Sequence, residues 1–302
     1  MMAWFASPVV LGAVYVAALA FRLVPHLAVC LRRPKDLRRS YGTWAVTTGP
    51  TSGIGWSLAV ELARSGLNLV LIGRDPAKLR DISQTICRAA PTVKTKTLVL
   101  DLSLLATAHG ETPSKLHIPS QTVEALDVGV LEPGAVFLHE ADIEELVDMI
   151  RVNLLGLTEV TAAVIPGMVE RRRGAVVNMG SASSEAIPSL PLYTMYAATK
   201  RYVAQFSRSL HLSDRAANTI LTSNPIFRHR RFAPYTPTPE TYVRTAVQWI
   251  GHAPLCVPNL GHRIMWFFSG IAPDFLLDEM LLHDHLWQRK EIQRMRLLPT
   301  RN

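Results

Sequence analysis

The sequence predicts an α/β fold, a doubly wound parallel sheet, carried behind an apolar N-terminal segment that anchors it to a membrane. Three observations predict it. A strand, a glycine-rich turn, a helix and a second strand follow one another between Thr43 and Gly73. Strand-like and helix-like stretches go on alternating as far as Lys200, the order that builds parallel sheets. An uncharged run, Trp4 to Phe21, precedes them all.

Composition supports a folded chain. Of 302 residues, 48% are apolar and 19% charged, enough for a large core and too apolar for disorder. The net charge of +8 concentrates between Arg32 and Arg39 and between Arg289 and Arg301. Basic clusters beside apolar stretches suit anionic lipid better than nucleic acid, and no nucleic-acid partner is expected. Cys30, Cys87 and Cys256 are odd in number and widely spaced, which fits a reduced, cytosol-facing domain without disulfides or a zinc site.

Residues 1–39 read as the anchor and its basic flank. A membrane-crossing helix needs about 20 mostly apolar residues. Trp4–Phe21 nearly supplies them, and Arg22 can reach back to the interface. Leu23–Leu31, broken by Pro25 and His26, is a re-entrant or interfacial piece. Arg32, Arg33, Lys35, Arg38 and Arg39 then mark the cytosolic side. A cleaved signal peptide is the alternative, since Ala18-Leu19-Ala20 resembles a cleavage site. Against it, the basic run follows the apolar stretch instead of preceding it.

Residues 40–235 read as the nucleotide-binding and catalytic body. Thr43–Thr48 is a buried strand, Ser57–Ser65 a helix closed by Gly66, and Asn68–Gly73 a second strand. Between the first two lie Gly49, Thr51, Ser52, Gly53, Ile54 and Gly55. The glycines allow a sharp turn and close approach of phosphate to backbone N–H groups. The helix N-terminus adds a partial positive charge. A glycine trio is weak alone and much stronger between a strand and a helix, where it marks a Rossmann-type dinucleotide site. Arg74 ends the second strand, where a cation suits the 2′-phosphate of NADP(H) rather than the free ribose of NAD. Asp75-Pro76 reads as a helix cap followed by proline at N1.

Leu98–Leu100 reads as the third strand and Leu126–Leu131 as the fourth; Ser103–Ser120 has no assigned element. Asp101 either reaches the adenine or caps a helix. Asp142–Ile165 reads as a long helix with Asn153 in its middle and Gly156 nearby, an unfavourable placement that hints at a role. Ala175–Asn178 is the fifth strand, leading to Ser181 and Ser183. Tyr196 and Lys200 follow at a spacing that puts both on one helix face. An ammonium there favours the phenolate, making the phenol a usable proton donor to a carbonyl oxygen. The same lysine can bond a nicotinamide ribose, and a serine at the end of the preceding strand can hold the carbonyl.

With these motifs the chain resembles the short-chain dehydrogenase/reductase family. Within it the resemblance is to the endoplasmic-reticulum very-long-chain 3-oxoacyl-CoA reductases of fatty-acid elongation, notably the plant type. It covers roughly residues 40–290 and is carried by YGTWAVTTGPTSGIG at 41–55, LNLVLIGRDPAKL at 67–79, LDVGVL at 126–131, IRVNLLGLTEVTAAVIPGMVERRRGAVVNMGS at 150–181 and PLYTMYAATKRYVAQFSRSL at 191–210. The resemblance implies Tyr196 as proton donor, Lys200 as cofactor-orienting residue, Asn153 as support for a relay water, and Ser181 as carbonyl-binding serine with Ser183 as the alternate. It also implies NADPH-dependent reduction of a long acyl-CoA or another hydrophobic ketone, a location in the endoplasmic-reticulum membrane, and elongase proteins as partners.

Two departures stand out. The family follows its fourth strand with Asn-Asn-x-Gly, whereas here Leu131 precedes Glu132-Pro133-Gly134. A loss there would favour a catalytically impaired paralogue acting as a membrane scaffold; a steroid ketone reductase is a further alternative. After Asn224-Pro225-Ile226-Phe227 the sequence runs Arg228-His229-Arg230-Arg231, either a CoA-phosphate contact or a solvated loop. Residues 236–302 form the C-terminal extension. Its apolar Ile264–Leu282 stretch is too charged for a clear span; it lies in the interface, caps an acyl tunnel, or packs on the core.

Overall fold

A computed structural model describes residues 9–10, 12–17, 20, 24, 28, 31–104, 122–126, 135–181, 186–213, 220–224, 237–252, 255–257 and 259–297. Its centre is a seven-stranded, wholly parallel sheet in the order β3-β2-β1-β4-β5-β6-β7. The strands are β1 (Trp44–Thr48), β2 (Asn68–Gly73), β3 (Thr95–Val99), β4 (Thr122–Leu126), β5 (Val176–Ser181), β6 (Ile220–Asn224) and β7 (Leu255–Cys256). The order reverses between β1 and β4, which opens a crevice at the carboxyl ends of the strands.

Helices cover both faces. A short α1 (Leu37–Tyr41) leads into β1. On one face α2 (Gly53–Arg64), α3 (Pro76–Ala89) and α6 (Pro239–Trp249) bury Leu58, Leu62, Ile82, Ile86, Val243 and Trp249 against the sheet. On the other, α4 (Ile143–Arg171) and α5 (Thr194–Ser213) bury Leu157, Val160, Val164, Met168, Val203 and Ala204. α7 (Leu260–Ser269) and α8 (Asp274–Leu297) complete the chain. Among the described residues, α4 is the one helix long and apolar enough to cross a membrane. Its buried stripe lies on the sheet, so it serves as a core helix.

Three readings of the sequence change. The helix after the glycine turn starts at Gly53 rather than Ser57, and β3 starts three residues before Leu98. The fourth strand is not Leu126–Leu131 but Thr122–Leu126, fixed by pairing on both sides: Thr48 lies opposite Leu126, and Leu126 opposite Asn178. Residues 127–134 lie outside the described residues.

The long helix runs on to Arg171 and is interrupted by a π-helical segment, Arg151–Gly156. The basic run after the N-terminal segment packs at the amino ends of the strands. Arg38 donates to the Gly66 carbonyl (3.5 Å) and Arg173 to the Arg39 carbonyl (2.9 Å). Asp36 caps α1. The chain thus enters the domain from the side opposite the crevice.

Candidate active site

The cofactor half is built by the β1–α2 turn. Gly49 and Gly53 have φ of 62° and 57°, a left-handed backbone that a side chain would strain. The Gly49 N–H is tied to the Ile72 carbonyl at 3.0 Å, which fixes the turn against β2. Ser52 is the residue before α2, and Gly55 is buried where helix and strand approach. A cleft of about 250 Å³ opens above, walled by Gly49, Thr51, Ser52, Arg74, Asp101 and Val152. Ile54 packs beside it against the core. Turn, helix end and exposed cation meet in one cleft, and this donor set fits a phosphate-bearing dinucleotide.

Asp75 is the helix cap that the sequence suggests. Asp75 accepts from the amides of Ala77 (2.9 Å) and Lys78 (3.1 Å) and so caps α3. The Lys78 amide bond is the main reason its carboxyl is held below the usual carboxylate range. Arg74 faces the cleft. Asp101 Oδ1 accepts from the amide (2.9 Å) and hydroxyl (2.8 Å) of Ser103, closing a turn rather than capping a helix, and the residue lines the cleft.

The catalytic half is built on one face of α5. Tyr196, Lys200, Val203 and Ser207 are all buried and spaced at helical turns. Lys200 Nζ donates to the Met179 carbonyl at 2.9 Å and lies 5.9 Å from the centre of the Tyr196 ring. Two turns further on, Asn178 Nδ2 donates to Ser207 Oγ at 2.8 Å. These two bonds lock α5 to the carboxyl end of β5, where Ser181 is the last strand residue and wholly buried. Ser183 lies outside the described residues.

Asn153 belongs to a different element. The π-helical segment is a widened turn, and such turns frequently accompany functional sites. It directs the Asn153 Nδ2 to Thr199 Oγ1 at 3.1 Å, and that hydroxyl donates to the Tyr196 carbonyl at 2.9 Å. Asn153 Oδ1 is buried with no partner among the described residues. Asn153 is thus tied to the turn that carries Tyr196, through a threonine that sequence reasoning missed. A threonine hydroxyl inside a helix usually turns back on its own backbone, so its position carried no distinctive signal. Val136, Leu138, Leu146, Leu192 and Tyr193 line a narrow apolar recess bordering Tyr196.

The chain is similar to known proteins along most of its length. The family model described as short chain dehydrogenase matches residues 43–222. The chain is 37% identical over 270 residues to a very-long-chain 3-oxoacyl-CoA reductase-like protein of Arabidopsis thaliana, covering 86% of each. It is 34% identical over 293 residues to a very-long-chain 3-oxoacyl-CoA reductase of Homo sapiens, covering 90% of each. Among solved structures it is similar to a short-chain dehydrogenase from Sphingobium yanoikuyae in complex with NADPH. That match has a TM-score of 0.63 at 24% identity, covering 78% of this chain and 94% of the other.

Proposed function

This chain belongs to the short-chain dehydrogenase family, and from that premise we propose that it reduces the 3-keto group of very-long-chain 3-oxoacyl-CoA in fatty-acid elongation. The observation that carries the reading is the buried Tyr196–Lys200 pair on α5, set beside the apolar recess and at the same strand ends as the dinucleotide cleft. The reductases of Arabidopsis and human that the chain is similar to are named for that substrate.

NADPH, when bound, supplies the hydride. The turn at Gly49–Gly55 would hold its pyrophosphate, Arg74 its 2′-phosphate and Asp101 its adenosine. Lys200, tied to the Met179 carbonyl, would bond the nicotinamide ribose and stabilise the Tyr196 phenolate. Ser181 holds the keto oxygen, with Ser183 as the alternate. Tyr196 gives its phenolic proton to that oxygen as it gains charge, which yields the 3-hydroxyacyl-CoA. The Asn153 Oδ1, buried without a partner among the described residues, suits a water that returns a proton toward Lys200 and Tyr196.

Residues 1–39 anchor this body in the endoplasmic-reticulum membrane with the domain in the cytosol, where elongase proteins are its neighbours. The exposed Val9, Val10, Val14 and Val16 support that reading, as does the basic run that follows. Residues 40–235 form the catalytic body. Residues 236–302 extend it, beginning with α6 and β7, which complete the sheet.

The test is a fluorescence titration with NADPH, followed by an assay of the purified protein on a long 3-oxoacyl-CoA and on a steroid ketone. Binding at micromolar NADPH with turnover of the acyl-CoA supports the reading. Turnover of the steroid alone moves the substrate class. No NADPH binding overturns the enzyme reading.

A further inference from the structure

The last helix reaches back to the segment that delivers Tyr196. Residues 190–193 lead into α5, whose third residue is Tyr196. Within them Leu192 has φ 64°, a conformation that leucine adopts only where its surroundings hold it. α8 supplies much of that hold. Asp278 accepts from the Ser189 hydroxyl at 2.5 Å, His285 Nδ1 bonds the Pro191 carbonyl at 2.7 Å, and Gln288 accepts from the Tyr193 hydroxyl at 3.2 Å. The Tyr193 ring meets His285 edge-on at 5.1 Å, and Leu286 packs in the cluster that contains Tyr196.

One residue further along, α8 grips the opposite wall of the recess. Arg289 pairs with Glu140 and lies 4.9 Å above the Phe137 ring. The two walls are tied to each other by the Val136 N–H on the Leu192 carbonyl at 3.1 Å.

His285 is the buried centre of this grip, with no accessible surface. A carbonyl only accepts, so Nδ1 carries a proton and donates it to Pro191. Nε2 has no partner among the described residues. Enclosing a nitrogen without a partner costs stability, and the chain retains it where the other nitrogen holds the Pro191 carbonyl.

We propose that His285 is a positioning residue: its Nδ1–H fixes the Leu190–Tyr193 turn and thereby sets Tyr196 at the place from which it donates its proton. The proposal rests on the reading of Tyr196 as the acid. It also gives α8 a role in the reaction without contact with substrate or cofactor.

The test compares three variants of the full chain in detergent or lipid nanodiscs. The side-chain nitrogen of Asn can stand where Nδ1 stands, that of Gln one atom farther out, and Leu has none. His285→Leu is expected to lower kcat at least tenfold, leave NADPH affinity within twofold, and raise the solvent deuterium isotope effect. His285→Asn restores kcat to within about threefold of the parent, and His285→Gln does not. If His285→Leu fails to fold, the Asn and Gln variants carry the same comparison. Equal kcat in the Asn and Gln variants, or full activity in His285→Leu, overturns the proposal.

A second readout needs no substrate and separates this proposal from the assignment of the reaction. The Tyr193 N–H bonds the Leu190 carbonyl (3.2 Å) and the Ala197 N–H bonds the Tyr193 carbonyl (2.9 Å). Hydrogen exchange at those two amides should rise at least tenfold in the Leu or Gln variant and stay near the parent rate in the Asn variant. Unchanged exchange in every variant overturns the proposal even if the enzyme proves active. Raised exchange in the Leu and Gln variants, beside a parent protein that fails to reduce 3-oxoacyl-CoA, leaves the brace standing and removes the proposed substrate.

Discussion

Lys200 and Tyr196 share one buried face of α5, with the ammonium 5.9 Å from the centre of the phenol ring and bonded to the Met179 carbonyl at 2.9 Å. The bond draws the lysine to the end of β5, the edge of the sheet where Ser181 stands. The pair is held by the sheet, not by the two side chains alone. Lys200→Ala should therefore reduce both functions assigned to this residue: turnover by roughly 100-fold or more, in the range of a lost acid–base partner, and NADPH affinity. Steady-state kinetics beside an NADPH titration checks both. Loss of turnover with intact NADPH binding would confine Lys200 to the proton-transfer step.

Arg74 stands on the cleft wall while its neighbour Asp75 is occupied as a helix cap. Arg74→Ala should weaken NADPH binding about 10- to 100-fold, the equivalent of a charged hydrogen bond of about 1.5–3 kcal/mol, and barely alter NADH. Competitive titration of the two cofactors measures the ratio. A ratio unchanged by the substitution would place the 2′-phosphate elsewhere.

Gly156 ends the π-helical segment, and a Cβ there would lie 3.1 Å from Leu102 Cβ. Leu102 is buried next to Asp101 and also lines the cleft. Gly156→Ala should thus push Leu102 against the cleft wall and weaken NADPH binding, while the helix preference for alanine of about 1 kcal/mol offsets the crowding in overall stability. Urea unfolding with and without NADPH detects the two effects together.

Two histidines set the acid side of the stability profile. Burial holds His285 below the usual imidazole value, outweighing the Pro191 bond and the Asp284 charge that act the other way. His252 is lowered by burial and by the charges of Lys35 and Arg32, against a backbone bond to Arg33. Above pH about 6.5 both rings are neutral, folded or unfolded. Below it the unfolded chain takes up protons that the folded chain refuses, so stability falls as pH drops toward the lower folded values. Denaturant unfolding at a series of pH values between 7.5 and 5 should show this fall, with a shallower slope in His285→Asn.

Much of the cofactor half was legible in the sequence because its signals are local. β1 and β2 are buried on both faces, so Leu69–Ile72 reads as an unbroken apolar run, and glycines mark the turn that follows β1. Asp75-Pro76 was readable as a cap for the same reason. β4 was misplaced because TVEAL and LDVGVL each set one acid among apolar residues and overlap at Leu126; only its register with Thr48 and Asn178 locates it. β3 is an edge strand with a mostly exposed pattern, and β7 has two residues, too short for any periodicity. In the catalytic half Tyr196 and Lys200 show through their spacing. The partners that hold them do not: Asn153 and Thr199 are 46 residues apart, and Pro191 and His285 are 94 apart. Such pairings exist only in the folded chain.

The central claim is that Tyr196 is the acid that protonates the reduced carbonyl. Its most direct test is a single-turnover measurement of NADPH oxidation by a long 3-oxoacyl-CoA, comparing the parent protein with Tyr196→Phe. Turnover in the variant should fall by about 100- to 10,000-fold, the contribution of a positioned acid, with NADPH affinity unchanged within twofold. Oxidation at the parental rate in Tyr196→Phe would contradict it.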